Sequence, residues 1–280
     1  MARILITGGS SYLGQHLVPL ALLGHETSYT YLSHNPLQDP SGFRLDVRDC
    51  TAVHALVASL KPEAIIHTVG SNRPADMANV IIEGTQNVAK AARKSGARLI
   101  HISTDALFNG QNAPYTENDR PTPIHAYGRA KAEAETIAGR HPDHVIVRTS
   151  LIYGLQIMDQ GTAWVVNALR KGQPVTLFTD QYRNPVWAQT LSLACLELAT
   201  NDYQGVLNVA GEQILSRAEF GLRMLDWWGI EERLSLTLGP SDHARWPADC
   251  TLILDRARQV LNTPLPGVDE VLNSHLKNSL

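Results

Sequence analysis

"RILITGGSSYLGQHLVPLALLG", residues 3–24, decides the fold. Its first five residues are a short apolar run ending in glycines; from Tyr12 the apolar residues fall at helical spacing until Gly24 closes the segment. Strand, tight turn and helix in that order open a βαβ unit. Between them "TGGSSYLG" (7–14) lies where a phosphate cradle is built, because backbone N–H groups and the positive end of the helix dipole favour a pyrophosphate. Gly8 permits the tight turn and Gly14 the close packing of helix on sheet. Ser11 stands where a Gly-x-x-Gly-x-x-Gly spacing puts its middle glycine, which requires a negative φ there. Gly8, Ser10, Ser11, Tyr12, Leu13 and Gly14 are the expected dinucleotide-phosphate residues.

The alternation continues outward from this unit. "TSYTYL", "EAIIHTV", "ARLIHIS" and "HVIVRTS" are predicted strands; "CTAVHALVASL", "ADMANVIIEGTQNVAKAARKSG" and "HAYGRAKAEAETIAG" are predicted helices. Strands separated by helices imply a parallel sheet covered on both faces, and right-handed crossovers make it doubly wound. The expected fold is α/β, a Rossmann-like doubly wound parallel sheet with a smaller C-terminal α/β substrate lobe. Residues 1–154 form the dinucleotide domain. Residues 155–280 form mainly the second lobe, with 185–210 returning to pack on the first. That part reads as helix "GTAWVVNALRKG", strand "PVTLF", a turn "YRNPVW", helix "AQTLSLACLELATN", strand "GVLNVAG" and helix "RAEFGLRMLDWWG", then a tail carrying Pro240, Pro247, Pro264 and Pro266. A cleft between the lobes is the default substrate site.

Composition narrows the class of partner. The 280 residues are 44% hydrophobic and 18% charged with a formal net charge of −3, enough for a sizeable core and without the basic footprint of a nucleic-acid binder. Neither a nucleic acid nor a membrane is expected. The opening residues enter a strand at once, with no room for a signal peptide, and no apolar run spans a bilayer. Cys50, Cys195 and Cys250 are scattered singly, without metal-ligand spacing. A reduced, cytoplasmic protein without a bound metal is expected.

A NAD site places an acid at the end of the second strand to hold the ribose 2′-OH. Here that end reads "YLSHNP", with no Asp or Glu from Thr27 to Gln38. Ser33, His34 and Asn35 can donate hydrogen bonds to a 2′-phosphate, although His34 reads equally well as an ordinary loop histidine, and no arginine stands there. NADP is expected, with NAD as the alternative. In "LDVRD" (45–49), Asp46 and Val47 can frame the adenine, or the segment is a plain strand end with Asp49 capping the next helix.

The strand "LIHIS" delivers Ser103, Thr104 and Asp105 to the same sheet edge as the glycine turn. Further on, "HAYGRAKAEAE" carries Tyr127 and Lys131, four residues apart and so on one face of a helix. Each piece alone is common: Ser-Thr-Asp is a cap-rich turn, and Tyr-x-x-x-Lys occurs by chance. Their order is harder to obtain accidentally. Tyrosine has an ordinary pKa of about 10, and a neighbouring ammonium lowers it, so Lys131 is expected to tune Tyr127 as a proton donor.

With these motifs the chain resembles the extended short-chain dehydrogenase/reductase family, in its dTDP-4-dehydrorhamnose reductase-like branch. "ILITGGSSYLG", "IIHTVG", "NVIIEGTQNVAKAA", "ISTDALFNGQNAPYTENDRPTPIHAYGRAKAEAE", "VRTSLIYG", "DQYRNPVW" and "GVLNVAGE" fall in the family's order over nearly the whole chain. The resemblance implies Tyr127 as general acid and Lys131 as its electrostatic partner, also donating to the nicotinamide ribose. It implies Thr104 as a substrate ligand and Asn79 as support for a proton relay. Thr68, Val69, Gly70 and Ser103 would face the cofactor, while Asp105, Tyr182, Arg183 and Arg245 would meet substrate, Arg183 at a pyrophosphate. Thr190 departs from the acid found there in many relatives. The implied activity is NAD(P)-dependent reduction of a nucleotide-linked 4-keto-6-deoxy sugar, by a protein that can form a homodimer. A dehydratase is disfavoured because Ala106 replaces the glutamate of Thr-Asp-Glu. A sugar-nucleotide epimerase stays open, as does a cofactor-binding regulatory role, since the branch also resembles the beta subunit of methionine adenosyltransferase.

Overall fold

The computed structural model describes residues 1–70, 75–242 and 246–277. Its first half alternates as expected: β1 (Arg3–Thr7), α1 (Tyr12–Gly24), β2 (Glu26–Tyr31), β3 (Gly42–Arg44), α2 (Cys50–Leu60), β4 (Ala64–His67), α3 (Met77–Ser95), β5 (Arg98–Ile102), α4 (Ala126–Ala138) and β6 (His144–Arg148). The second half is built from shorter pieces. These are β7 (Ile152–Tyr153), α5 (Gln160–Arg170), β8 (Val175–Phe178), β9 (Tyr182–Arg183), β10 (Val186–Trp187), α6 (Ala188–Thr200) and β11 (Gly205–Asn208), then β12 (Leu215–Ser216), α7 (Arg217–Trp227), β13 (Leu236–Gly239), α8 (Asp255–Val260) and α9 (Val268–Lys277).

Seven strands form one parallel sheet in the order β11-β6-β5-β4-β1-β2-β3. The order reverses between β1 and β4, and their carboxyl ends, Thr7 beside His67, flank the crevice where a doubly wound sheet binds its ligand. Both faces are buried, which is why the strands read as continuous apolar runs. Ile4, Ile6, Ile66 and Ile100 pack with Leu17 and Val18 of α1 and Leu191 and Leu198 of α6. The alternate residues Leu5, Ile65 and Leu99 pack with Val53 and Val57 of α2 and Val88 of α3.

Residues from the second half enter the first core in two places. One is α6 with β11; the other is the proline-bearing tail, where Leu252, Leu254, Ala257 and Leu261 join the same cluster. The second lobe keeps its own core, with Val166 and Leu169 of α5, Val175 and Leu177 of β8, and Leu225 of α7. Two-residue strands such as β7, β9, β10 and β12 have no periodicity for a sequence to display. Among the described residues no helix is long and apolar enough to cross a membrane.

Candidate active site

A cavity of about 420 Å³ opens at the crevice, with Gly8, Ser10, Ser11 and Tyr12 along one wall. Gly8 has φ +85°, and a Cβ there would lie 2.8 Å from Thr68 Oγ1 and 2.9 Å from Val69 Cγ2. A Cβ on Gly14 would lie 2.3 Å from the Gly8 carbonyl oxygen. Both positions therefore exclude a side chain, leaving bare backbone at the N-terminus of α1, the surface a pyrophosphate needs. Ser11 takes φ −66°, an unstrained extended conformation, and caps α1 by accepting from Gly14 N at 3.0 Å. Its Oγ also meets Thr68 Oγ1 at 3.0 Å, and Thr68 donates to the Thr7 and Gly8 carbonyls. The missing glycine is thus a serine that ties the turn to the end of β4. Leu13 turns its side chain into the core. The Tyr12 hydroxyl crosses to the second lobe and donates to the Ile157 carbonyl at 2.8 Å.

At the other end of the cavity lie Asp46 and Val47, with Tyr31, Leu32 and Arg48. Ser33 and His34 are exposed and do not line it, while the Asn35 side chain accepts from Tyr29 Oη at 2.8 Å. The expectation that no arginine stands near the end of β2 is corrected by Arg48. Pairing of β3 with β2, and Leu45 N donating to the Tyr31 carbonyl at 2.8 Å, bring "LDVRD" alongside. Arg48 is held by Asp46, Nη2 to Oδ2 at 2.6 Å, and by Asp76. Asp49 does cap α2, accepting from Ala52 N at 3.0 Å.

Val69, Gly70 and Tyr127 complete the cavity near the end of β5. The start of α4 is pressed onto the turn after β5, since a Cβ on Gly128 would lie 2.3 Å from the Ala106 carbonyl oxygen. His125 caps that start, its Nδ1 accepting from Gly128 N at 3.0 Å. This places Tyr127 beside Thr104, whose Oγ1 accepts from Ala106 N at 3.1 Å. Burial, and then the Asp105 carboxylate, push the Tyr127 phenol up to about 12, with Thr104 acting in the opposite direction. Ser103 is buried, its Oγ without a partner among the described residues.

Lys131 is buried beneath, donating to the Ile102 carbonyl at 2.5 Å and lying 3.4 Å from His101 Nε2. Burial pushes it down to about 8, against the opposing effect of Glu135. The expected lowering of Tyr127 by Lys131 is therefore not what this arrangement produces: the ammonium is turned to β5, and burial dominates the phenol. His101 sits in register beside His67, and burial followed by Lys131 holds both imidazoles neutral, His67 at about 3. Asn79 is exposed on α3 and is not brought to Lys131. Ile81 faces that region instead; a Cβ on Gly70 would meet Lys131 Nζ at 3.5 Å and Ile81 Cγ1 at 3.6 Å.

Asp105 and Arg183, expected at the substrate, are both buried and face each other, Nε to Oδ2 at 3.5 Å. Asp105 also accepts from Ser150 Oγ at 2.6 Å. Arg183 also donates to the Tyr182, Pro247 and Ala248 carbonyls, at 2.6 to 3.0 Å. A guanidinium so enclosed anchors the tail to the sheet edge and, among the described residues, keeps only one Nη2 hydrogen without an acceptor, too little for two parallel hydrogen bonds to a pyrophosphate. Tyr182 is exposed and does not line the cavity. Arg245 lies outside the described residues.

A doubly wound sheet with a second lobe, carrying Tyr127 and Lys131 at the cofactor crevice, defines an extended short-chain dehydrogenase/reductase, a class of NAD(P)-dependent oxidoreductases. The chain belongs to the RmlD family, since residues 2–280 match the RmlD substrate binding domain. It is similar to the probable low-salt glycan biosynthesis reductase Agl14 of Haloferax volcanii, 28% identical, over 82% of this chain and 81% of that one. It is also similar to methionine adenosyltransferase 2 subunit beta of Xenopus tropicalis, 26% identical, over 87% and 74%. Among solved structures, a hypothetical dTDP-4-dehydrorhamnose reductase from Sulfolobus tokodaii is 28% identical with TM-score 0.82, over 96% of this chain and 98% of that one. Other neighbours of this fold, 23% and 21% identical, were crystallised with NADP and with NAD.

Proposed function

We propose that the protein is an NADP-dependent reductase of a nucleotide-linked 4-keto-6-deoxy sugar, with Tyr127 as general acid. Tyr127 carries this reading: it lines the cofactor cavity, adjoins Thr104, and keeps its proton at neutral pH because its pKa is raised to about 12. Reduced NADP, when bound, supplies a hydride. Negative charge then develops on the ketone oxygen, and Tyr127 delivers the proton that neutralises it. Thr104 holds that oxygen, and the Lys131 ammonium, which lies beside Gly70 of the cavity wall, would hold the nicotinamide ribose. The absence of an acid from the end of β2 supports NADP over NAD. The Sulfolobus tokodaii structure, a hypothetical dTDP-4-dehydrorhamnose reductase, supports the substrate class.

The test is the loss of NADPH absorbance with dTDP-4-keto-6-deoxymannose. Turnover is expected, and Tyr127→Phe should lower it by roughly 10²- to 10⁴-fold with NADPH affinity retained. Undiminished turnover in that variant would remove Tyr127 from the mechanism. The 26% identity with a methionine adenosyltransferase subunit favours a second reading, a cofactor-binding regulatory subunit. Such a subunit would bind NADPH without consuming it.

A further inference from the structure

A second cavity of about 320 Å³ lies in the C-terminal lobe. Gln160 lines both it and the cofactor cavity, so the two spaces meet at that side chain. Leu151, Leu177, Leu225 and the Phe220 ring supply an apolar wall, and Arg217 contributes a guanidinium. Arg217 is the first residue of α7, and its position is locked from two sides. Its backbone N–H donates to the Gln181 carbonyl at 2.8 Å, and Ser216 with Glu219 closes a capping box around the helix start.

The guanidinium itself is unspent. Among the described residues no hydrogen bond and no ion pair within 4.0 Å uses it. The Asp159 and Asp105 carboxylates act on it only from a distance. Both are committed elsewhere: Asp159 caps α5 by accepting from Gly161 N, Thr162 N and Thr162 Oγ1, and Asp105 accepts from Ser150. Arginine stays charged and presents five N–H donors in a planar fork, and leaving these half-buried without acceptors is costly. A phosphate matches the fork with two parallel hydrogen bonds.

We propose that Arg217, and not Arg183, anchors the diphosphate of a nucleoside-diphosphate group in this cavity, with the base against the apolar wall that includes Phe220. The inference rests on the reading of the substrate as nucleotide-linked, and assigns the residue that recognises its charged part. Calorimetric titration of the NADP-loaded protein with dTDP and with UDP tests it, in the wild type and in Arg217→Gln and Arg217→Lys. Arg217→Gln should weaken the nucleoside diphosphate by roughly 10- to 100-fold, with Arg217→Lys between it and the wild type, because lysine keeps the charge and loses the fork. NADPH affinity on the same samples should not change. Equal dTDP and UDP affinity in wild type and Arg217→Gln overturns the anchor and leaves the nucleotide-linked substrate standing. Parallel loss of NADPH affinity overturns it too, by showing a structural role. A wild type that binds NADPH but neither dTDP nor UDP sinks the substrate reading, and the anchor with it.

Discussion

The cavity at the crevice takes one wall from a single stretch, Gly8 to Tyr12, whereas the second cavity draws on segments scattered from Leu151 to Leu225. In the first, backbone meets backbone: Gly14 against the Gly8 carbonyl, and Gly128 against the Ala106 carbonyl. In the second, the corresponding approach is to a side chain, since a Cβ on Gly221 would meet Leu177 Cδ1 at 2.8 Å. Backbone cannot yield without moving an element, while a leucine end can change rotamer. The contrast fits the proposed roles, a cofactor site held rigid and a substrate site free to diverge.

The largest test of this contrast concerns how each lobe is braced. Beneath the first cavity the buried Arg148 clasps Glu135 of α4, at 2.9 to 3.3 Å, and adds the Glu117 and Asp119 carbonyls. Removing one partner leaves a buried charge uncompensated, so Glu135→Ala should lower unfolding stability by about 3–5 kcal/mol. In the second lobe Arg223 pairs with Asp269 near the surface, and Arg223→Ala should cost no more than about 1 kcal/mol. Urea unfolding of both variants decides it; equal losses would break the comparison.

Glycine replacements give the next largest effect. Gly14→Ala should destabilise by about 1–3 kcal/mol and weaken NADPH binding, because the added methyl strikes a carbonyl. Gly221→Ala, inside α7, should stay within about 1 kcal/mol of wild type, since helix propensity offsets the displaced leucine. A Gly221→Ala loss as large as that of Gly14→Ala would show that the second lobe is as unyielding as the first.

The smallest effect sharpens the chemistry of the first cavity. Burial lowers Lys131 to about 8, so its ammonium, present below that pH, is lost as pH rises through it. The kcat/KM for NADPH oxidation should therefore fall above about pH 8, roughly tenfold per unit. Arg stays charged throughout this range, so Lys131→Arg should lose this limb whatever its absolute rate. Persistence of the limb in that variant would assign it to another group.

Local signals were enough for the first half. The turn from Thr7 to Gly14, the helix cap at Asp49, the strand before Ser103 and the Tyr127 to Lys131 spacing are all set within a few residues, where steric and hydrogen-bond rules apply directly to the sequence. The second half was less legible. Strands of two residues carry no pattern, and α8 and α9 lie among prolines that read as a tail.

By itself the sequence determined the doubly wound sheet, the glycine turn and the helical spacing of Tyr127 and Lys131, because each depends on periodicity or on short-range geometry. Tertiary structure alone decided where each charge lies and which of them are paired. It brought Arg48 to the cofactor cavity by pairing β3 with β2, and it turned Asn79 outward with Ile81 near Lys131. It enclosed Arg183 against Asp105 and left Arg217 open to the second cavity. Whether a guanidinium binds its own protein or a ligand depends on carboxylates and carbonyls many residues away, whose distance no local pattern encodes.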